Sequence, residues 1–296
     1  MSTQQLDQIL AAASGGGPDF RDDPYVARED FRKMLAELPT PKGIISARHE
    51  LGGVPGLRIR PENVSGPATV LYLHGGAYIA GSASEYIGVI GSLALALRRP
   101  VHAVDYRLAP EAPYPAAIED AVKAYHDLVE ETGDPSRIAV VGDSAGGGLT
   151  LALLLALRQE GSPLPATAIL LSPWTDLTGS GESMITHADQ DPILNPDGLM
   201  NAARHYLNGA DAADSTASPV FADFSDLPPI HVHVGSREIL LDDAIRVADH
   251  SDATLTVWEG MVHDWCLFWF ALDEAREVIE KTAETIRIAT LENTNV

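Results

Sequence analysis

The 296-residue sequence holds a single cysteine, Cys266, so no internal disulfide is open to it. It lies in "HDWCLFWF" and reads as a small buried hydrophobe. Basic residues are scarce: 20 Lys and Arg face 42 Asp and Glu, for a net charge of −22. A nucleic acid or an anionic membrane surface asks for the opposite sign, so neither is expected as a partner. The acidity suits solubility and favours neutral substrates. No run of 18 apolar residues is present, which argues against membrane insertion. The start, "MSTQQLDQILAAASGGG", has no basic segment leading into an apolar run, so no secretory signal is read and a cytoplasmic location is expected. Low complexity is confined to "ASGGGPD" at 13–19, which reads as a flexible joint.

What is present is an ordinary globular balance, 45% apolar and 21% charged, with ample material for a core. The first forty residues read as helical pieces broken by Pro18, Pro24, Pro39 and Pro41. "IISARHEL" and "GLRIRPE", separated by "GGVPG", read as an antiparallel pair. Short β-branched runs then alternate with helical segments. The strands are "ATVLYLHGG", "PVHAVDYR", "RIAVVGDS", "ATAILLSPW", "PIHVHVGSRE" and "ATLTVWEG". The intervening helices are "EYIGVIGSLALALRR", "AAIEDAVKAYHDLVEET" and "AGGGLTLALLLALRQE". The last helix carries Leu272, Ala275, Ile279, Ala283 and Ile286 as one apolar stripe. Repeated strand–helix units predict an α/β fold, a mostly parallel sheet with helices on both faces.

Residues 176–222 interrupt this pattern between two strands, far beyond the usual loop of about 4–6 residues. They hold a helix of their own, with Asn195 as N-cap and Pro196 in the first turn. Residues 1–40 and 176–222 are therefore expected to form a cap over a core of residues 41–175 and 223–296.

Chemistry is concentrated at strand ends. In "VVGDSAGGG", Ser144 is flanked two residues either way by Gly142 and Gly146, between an apolar strand and an apolar helix. Such a corner is too sharp for side chains at the flanking positions, and it presents the hydroxyl at a helix N-terminus. Neither a dinucleotide-binding Gly-x-Gly-x-x-Gly nor a Gly-Lys-Ser/Thr phosphate loop is present. A lone serine hydroxyl is a poor nucleophile and needs a base, an orienting acid and donors for an oxyanion. The glycine-rich turn at His74, Gly75, Gly76, Ala77 and Tyr78 ends another strand and is a source of such donors, together with the amide of Ala145.

Of ten histidines, His263 alone follows the last strand and precedes the last helix. His49, His102, His126, His187, His205 and His250 read as solvated or locally bonded. His231 and His233 share one face of a strand, but no ligand cluster with recognisable spacing accompanies them, so no metal is expected. Glu238, Asp242 and Asp243 follow the strand "PIHVHVG"; Glu238 lies just past its end, and helix capping is the plain reading of Asp242 and Asp243.

Taken together, "HGGAY", "DYRLAPEAPYPAAIEDA", "GDSAGG", "SPWTDLT", "DPIL" and "GMVHDW" resemble the motifs of the bacterial hormone-sensitive-lipase-like esterases, over nearly the whole chain. The resemblance implies an α/β-hydrolase fold with a helical cap and a carboxylesterase of short to medium acyl esters, without cofactor. It implies Ser144 as nucleophile, His263 as base and Glu238 as acid, with the oxyanion amides on Gly76, Ala77 and Ala145 and with Gly75 shaping their loop. His74, Asp105, Tyr106 and Arg107 are implied to be structural. A homodimer is the implied assembly. Glu replaces the commoner Asp as acid and the acid–base spacing is short, which keeps Asp242 as the alternative acid. Asp264 stands where relatives more often carry a small or apolar residue. The same triad also suits amide, thioester or carbamate cleavage, and a non-catalytic small-molecule binder on this scaffold is the remaining alternative.

Overall fold

The computed structural model describes residues 2–12, 18–66 and 69–292. The glycine-rich stretch 13–17 and Ala68, the expected first residue of a strand, lie outside them. Two helices open the chain, α1 (Ser2–Ala12) and α2 (Pro24–Ala36), the latter capped by Asp23, whose carboxylate accepts from Tyr25 N. Strands β1 (Ile44–Leu51) and β2 (Val54–Pro61) form an antiparallel hairpin. Its turn is shorter than the sequence suggests: Gly52 and Gly53 alone make it, with φ of +59° and +79°. Two consecutive residues in this region define the turn that matches strand twist, and glycine adopts it without strain.

The rest alternates as expected: β3 (Val70–Leu73), α3 (Ile87–Leu97), β4 (Val101–Val104), α4 (Ala116–Thr132), β5 (Ala139–Asp143), α5 (Ala145–Glu160) and β6 (Thr167–Leu171). After a long excursion carrying α6 (Ser183–Thr186) and α7 (Pro196–Leu207) come β7 (Ile230–Gly235), α8 (Leu241–Asp249), β8 (Thr254–Trp258) and α9 (Asp273–Glu292). The eight strands form one sheet in the order β1-β2-β4-β3-β5-β6-β7-β8, parallel from β4 to β8.

Strands β3 to β6 are buried at every position, because helices cover both faces. On one face α5 and α8 meet β6 and β7 through Leu151, Leu154, Leu170, Val232, Val234 and Val247. On the other, α3 and α9 pack together and α9 presents its buried stripe, Leu272, Ala275, Ile279, Ala283 and Ile286.

Residues of the two expected cap segments meet. The Asn201 side chain on α7 donates to the carbonyl of Phe20 at 2.8 Å. Tyr206, also on α7, stacks on Tyr78 with ring centroids 3.9 Å apart. Arg28 on α2 binds the carbonyls of Ile79 and Ala109 and pairs with Glu111. Both segments thus reach the loops that follow β3 and β4, at the carboxyl ends of the parallel strands. Among the described residues no helix is long and apolar enough to cross a membrane.

Candidate active site

Ser144 joins β5 to α5 with φ +51° and ψ −121°, outside the ordinary regions for a residue with a side chain. Its neighbours hold it there. Its N–H donates to Leu171 O at 2.9 Å, and its carbonyl accepts from Trp174 N. The two glycines are required by contact. A Cβ on Gly142 would lie 2.1 Å from Gly146 O, and one on Gly146 would lie 1.9 Å from Leu73 O.

The serine Oγ is 3.0 Å from Nε2 of His263. Nδ1 of the same ring is 3.0 Å from Oε2 of Glu238. Oε1 of Glu238 accepts from Gly235 N and from Ser172 Oγ. All three side chains are buried. Burial raises the Glu238 carboxyl, and the hydrogen bond from His263 draws it only part of the way back. Asp242, the alternative acid, is directed elsewhere: its carboxylate accepts from Ser183 N at 2.8 Å. Asp243 accepts from Thr175 N and Asp176 N. Neither caps its own helix as its position suggests; both bind the excursion after β6, because α8 starts without a side-chain cap and packs against that segment.

The glycine-rich turn after β3 lies beside the serine. Gly75 N donates to Asp143 Oδ2 at 3.0 Å, so its amide is occupied. Gly76, Ala77 and Tyr78 follow with φ of +115°, +53° and +62°. Among the described residues the N–H groups of Gly76, Ala77 and Ala145 have no acceptor. His74 stacks on Tyr106 at 4.3 Å, and its carbonyl accepts from the Tyr106 hydroxyl at 2.7 Å. Asp105 accepts from Ala83 N, and Arg107 grips Asp120 and Glu119.

Two participants, Asp143 and Ser172, were not picked out from sequence, and a third, Asp264, stood out there only by its place beside His263. Asp143, buried between Tyr72 OH and Gly75 N, fastens the turn to the serine corner. Its carboxyl is pushed well above the ordinary range by burial and then by the neighbouring Asp264. Ser172, at φ +47° just past β6, donates to Glu238 and accepts from Asp264 N at 3.2 Å. Its signal was its place: a polar residue at a strand's carboxyl end, as Ser144 is. Asp264 puts Oδ2 3.2 Å from His263 Nε2, the nitrogen that also faces the serine. Burial alone would lower the His263 pKa; the Asp264 charge and the bonds to Asp264 and Glu238 override it and hold the ring well above its ordinary value.

His231 and His233 were the metal-like pair. His233 Nδ1 accepts from Trp258 Nε1 at 3.3 Å, and no third ligand joins the two among the described residues. Cys266 is buried, which pushes its thiol up.

A buried serine, imidazole and carboxylate in one hydrogen-bonded line, beside three amides aimed at no acceptor, is an arrangement that can attack a carbonyl and hold the resulting oxyanion. Comparison with known proteins gives the same direction. The profile of the α/β hydrolase fold matches residues 70–267. An acetyl-hydrolase of Streptomyces hygroscopicus is 41% identical over 237 residues, 78% of this chain and 79% of that protein. The carboxylesterase NlhH of Mycobacterium tuberculosis is 33% identical over 273 residues, 84% of this chain and 85% of that protein. Among solved structures, an esterase from the bacterial hormone-sensitive lipase family is 39% identical. It superposes with a TM-score of 0.92, covering 97% of this chain and 98% of that one.

Proposed function

The chain belongs to the α/β-hydrolase fold family, in the company of bacterial hormone-sensitive-lipase-like esterases, and from that premise we propose a serine carboxylic-ester hydrolase that works through Ser144, His263 and Glu238. The observation that carries the reading is the line of contacts from Ser144 Oγ through both ring nitrogens to Glu238, each 3.0 Å long.

Ser144 Oγ attacks the ester carbonyl carbon while its proton passes to His263 Nε2. The carbonyl oxygen gains the negative charge and is taken by the amides of Gly76, Ala77 and Ala145, which are fixed in place before the charge forms. Gly75 serves by shape, since its own amide is bound to Asp143. Glu238 accepts from Nδ1–H, which fixes the tautomer and stabilises the imidazolium. The C–O bond of the ester breaks as His263 returns the proton to the leaving alcohol. Water then repeats the two steps on the acyl-enzyme and frees the acid.

Short to medium acyl esters fit this reading, and the relative named acetyl-hydrolase supports it. Residues 1–40 and 176–222 serve as a cap over the strand ends, supported by the Asn201–Phe20 and Tyr206–Tyr78 contacts. Between α2, the start of α3 and the segment after His263 lies a cavity of about 300 Å³, walled by Leu35, Leu38, Val89 and Leu267. Its lining also includes Tyr86 and Trp269 but none of Ser144, His263 and Glu238.

The test is a panel of p-nitrophenyl esters from acetate to palmitate beside matching anilides. The native protein is expected to hydrolyse the shorter esters, and Ser144→Ala to lose about 10⁴-fold in turnover while keeping its fold. A serine-directed phosphonate is expected to add its mass at Ser144 alone. Undiminished hydrolysis by the alanine variant, or labelling at another residue, overturns the reading.

A further inference from the structure

At the antiparallel end of the sheet, three segments far apart in sequence bring together two imidazoles and a carboxylate. His49 lies on β1, His102 on β4 and Glu131 in the last turn of α4. His49 Nε2 is 2.8 Å from Glu131 Oε1, and His102 Nε2 is 3.6 Å from Glu131 Oε2. One ligand atom from each of the three lies within 4.8 Å of the other two.

The register explains how two histidines meet across an intervening strand. His49 is opposite Gly56 on β2, and Gly56 is opposite Val104 on β4. Opposed residues of antiparallel strands point to one face, and residues two apart share it. His49, Gly56 and His102 therefore share the face on which α4 packs. The two rings meet on this face with centroids 4.4 Å apart. A Cβ on Gly56 would lie 2.1 Å from Ala103 O, so no other residue fits.

His102 makes the cluster unusual. Its side chain is 2% exposed, and among the described residues Nε2 has no hydrogen-bond partner. A buried polar nitrogen left without a partner is costly, and such groups call for an explanation. Arg58 shares this face but turns its guanidinium to the carbonyl of Gly66.

We propose that His49, His102 and Glu131 bind a divalent transition-metal ion of the zinc class, apart from the catalytic centre, clipping β1 and β4 to α4. Ligand atoms around a tetrahedral ion at 2.0–2.1 Å stand roughly 3.4 Å from one another, a spacing inside the 4.8 Å within which one atom from each of the three side chains lies. Two imidazoles and a carboxylate suit zinc, cobalt and nickel, and a fourth position is left to water on the exposed side of His49 and Glu131. On binding, His49 gives up the Nε2 proton it shares with Glu131 and carries its hydrogen on Nδ1. The site lies near the start of β4, whereas Ser144, His263 and Glu238 follow the far ends of the parallel strands.

The experiment is titration of the metal-stripped full chain with Co²⁺, followed by the visible absorption of the bound ion, then by competition with Zn²⁺. One ion per chain is expected, with a zinc-dependent rise in the unfolding temperature. His49→Gln and Glu131→Gln, at a half-buried and an exposed position that tolerate change, are expected to weaken binding roughly tenfold or more and to abolish the thermal shift. His231→Gln with His233→Gln is expected to leave both unchanged. His102→Phe tests the buried ligand where it folds. Absence of uptake, or uptake of equal strength in His49→Gln and Glu131→Gln, overturns the proposal.

Discussion

His263 Nε2 stands between two oxygens, 3.0 Å from Ser144 Oγ and 3.2 Å from Asp264 Oδ2. One is the atom it must deprotonate; the other is a carboxylate that rewards it for being protonated. The other oxygen of Asp264, Oδ1, is buried with no partner among the described residues. The base must be neutral to accept a proton from serine. A raised pKa therefore moves the acid limb of the pH–rate profile upward, and the active fraction grows only as pH rises through that value.

Asp264→Asn separates charge from shape. Asp264 has φ +50°, a region that Asn tolerates better than most residues, so the backbone is retained. The midpoint of the acid limb of kcat/KM is expected to fall by roughly one unit or more, with a smaller change in the plateau. The variant then keeps a larger share of its plateau rate at pH 6 than the native protein does. An unmoved midpoint would mean that Asp264 does not tune the base.

The acid is tested by ranking two carboxylates. Glu238→Gln removes the charge that faces His263 Nδ1, and turnover is expected to fall by about 10²–10⁴-fold. Asp242→Asn disturbs a bond to Ser183 N, and turnover is expected to stay within about threefold. Measured kcat values in the opposite order would transfer the role to Asp242.

How far the sequence could be read depended on whether a feature is local. The strands, the Ser144 corner and the turn at Gly75–Gly76 announce themselves through neighbours in the chain: β-branched runs, flanking glycines, a strand end. Glu238 and His263 were legible through strand ends and the family motifs. Ser172 was not, because its role is to bridge Glu238 and the Asp264 amide across three strand ends. Asp264 was noticed for its adjacency, but the sense of its effect depends on where Oδ2 points, and the left-handed backbone at 264 decides that. His102 reads from the sequence as solvated or locally bonded; it is buried instead, and only the register across Gly56 brings it to His49. The Gly52–Gly53 turn was drawn too long because Pro55 suggests a loop, whereas Pro55 already pairs with Glu50.

The serine corner is intolerant of a methyl group at one glycine and the surface is not. In Gly146→Ala the added carbon meets the backbone oxygen of Leu73 at 1.9 Å, and β3 and the start of α5, both buried, have no room to part. A loss of more than about 3 kcal/mol, or failure to accumulate soluble protein, is expected. Gly133→Ala is the control. It ends α4 at φ +69° with nothing within 4 Å of an added Cβ, so only backbone strain of about 1–2 kcal/mol remains. Urea unfolding of the two variants is expected to keep this order.

Asp243 links stability to pH in a direction opposite to that of a surface carboxylate. Burial raises its pKa to about 7, although Thr175 N and Asp176 N donate to it. In the unfolded chain the same group titrates near ~4. Between these values the folded protein holds a proton that the unfolded chain has released. Stability attributable to Asp243 is thus complete below about pH 4 and declines as pH rises toward about 7, by on the order of 4 kcal/mol at most. Glu238 and Asp143, also raised, act in the same sense. Asp243→Asn keeps an acceptor for the two amides and cannot ionise. Its urea midpoint is therefore expected to change less between pH 5 and pH 8 than that of the native protein. Identical pH dependence in the two proteins would show that Asp243 is already ionised in the fold, its charge carried by the two amides and by Arg246.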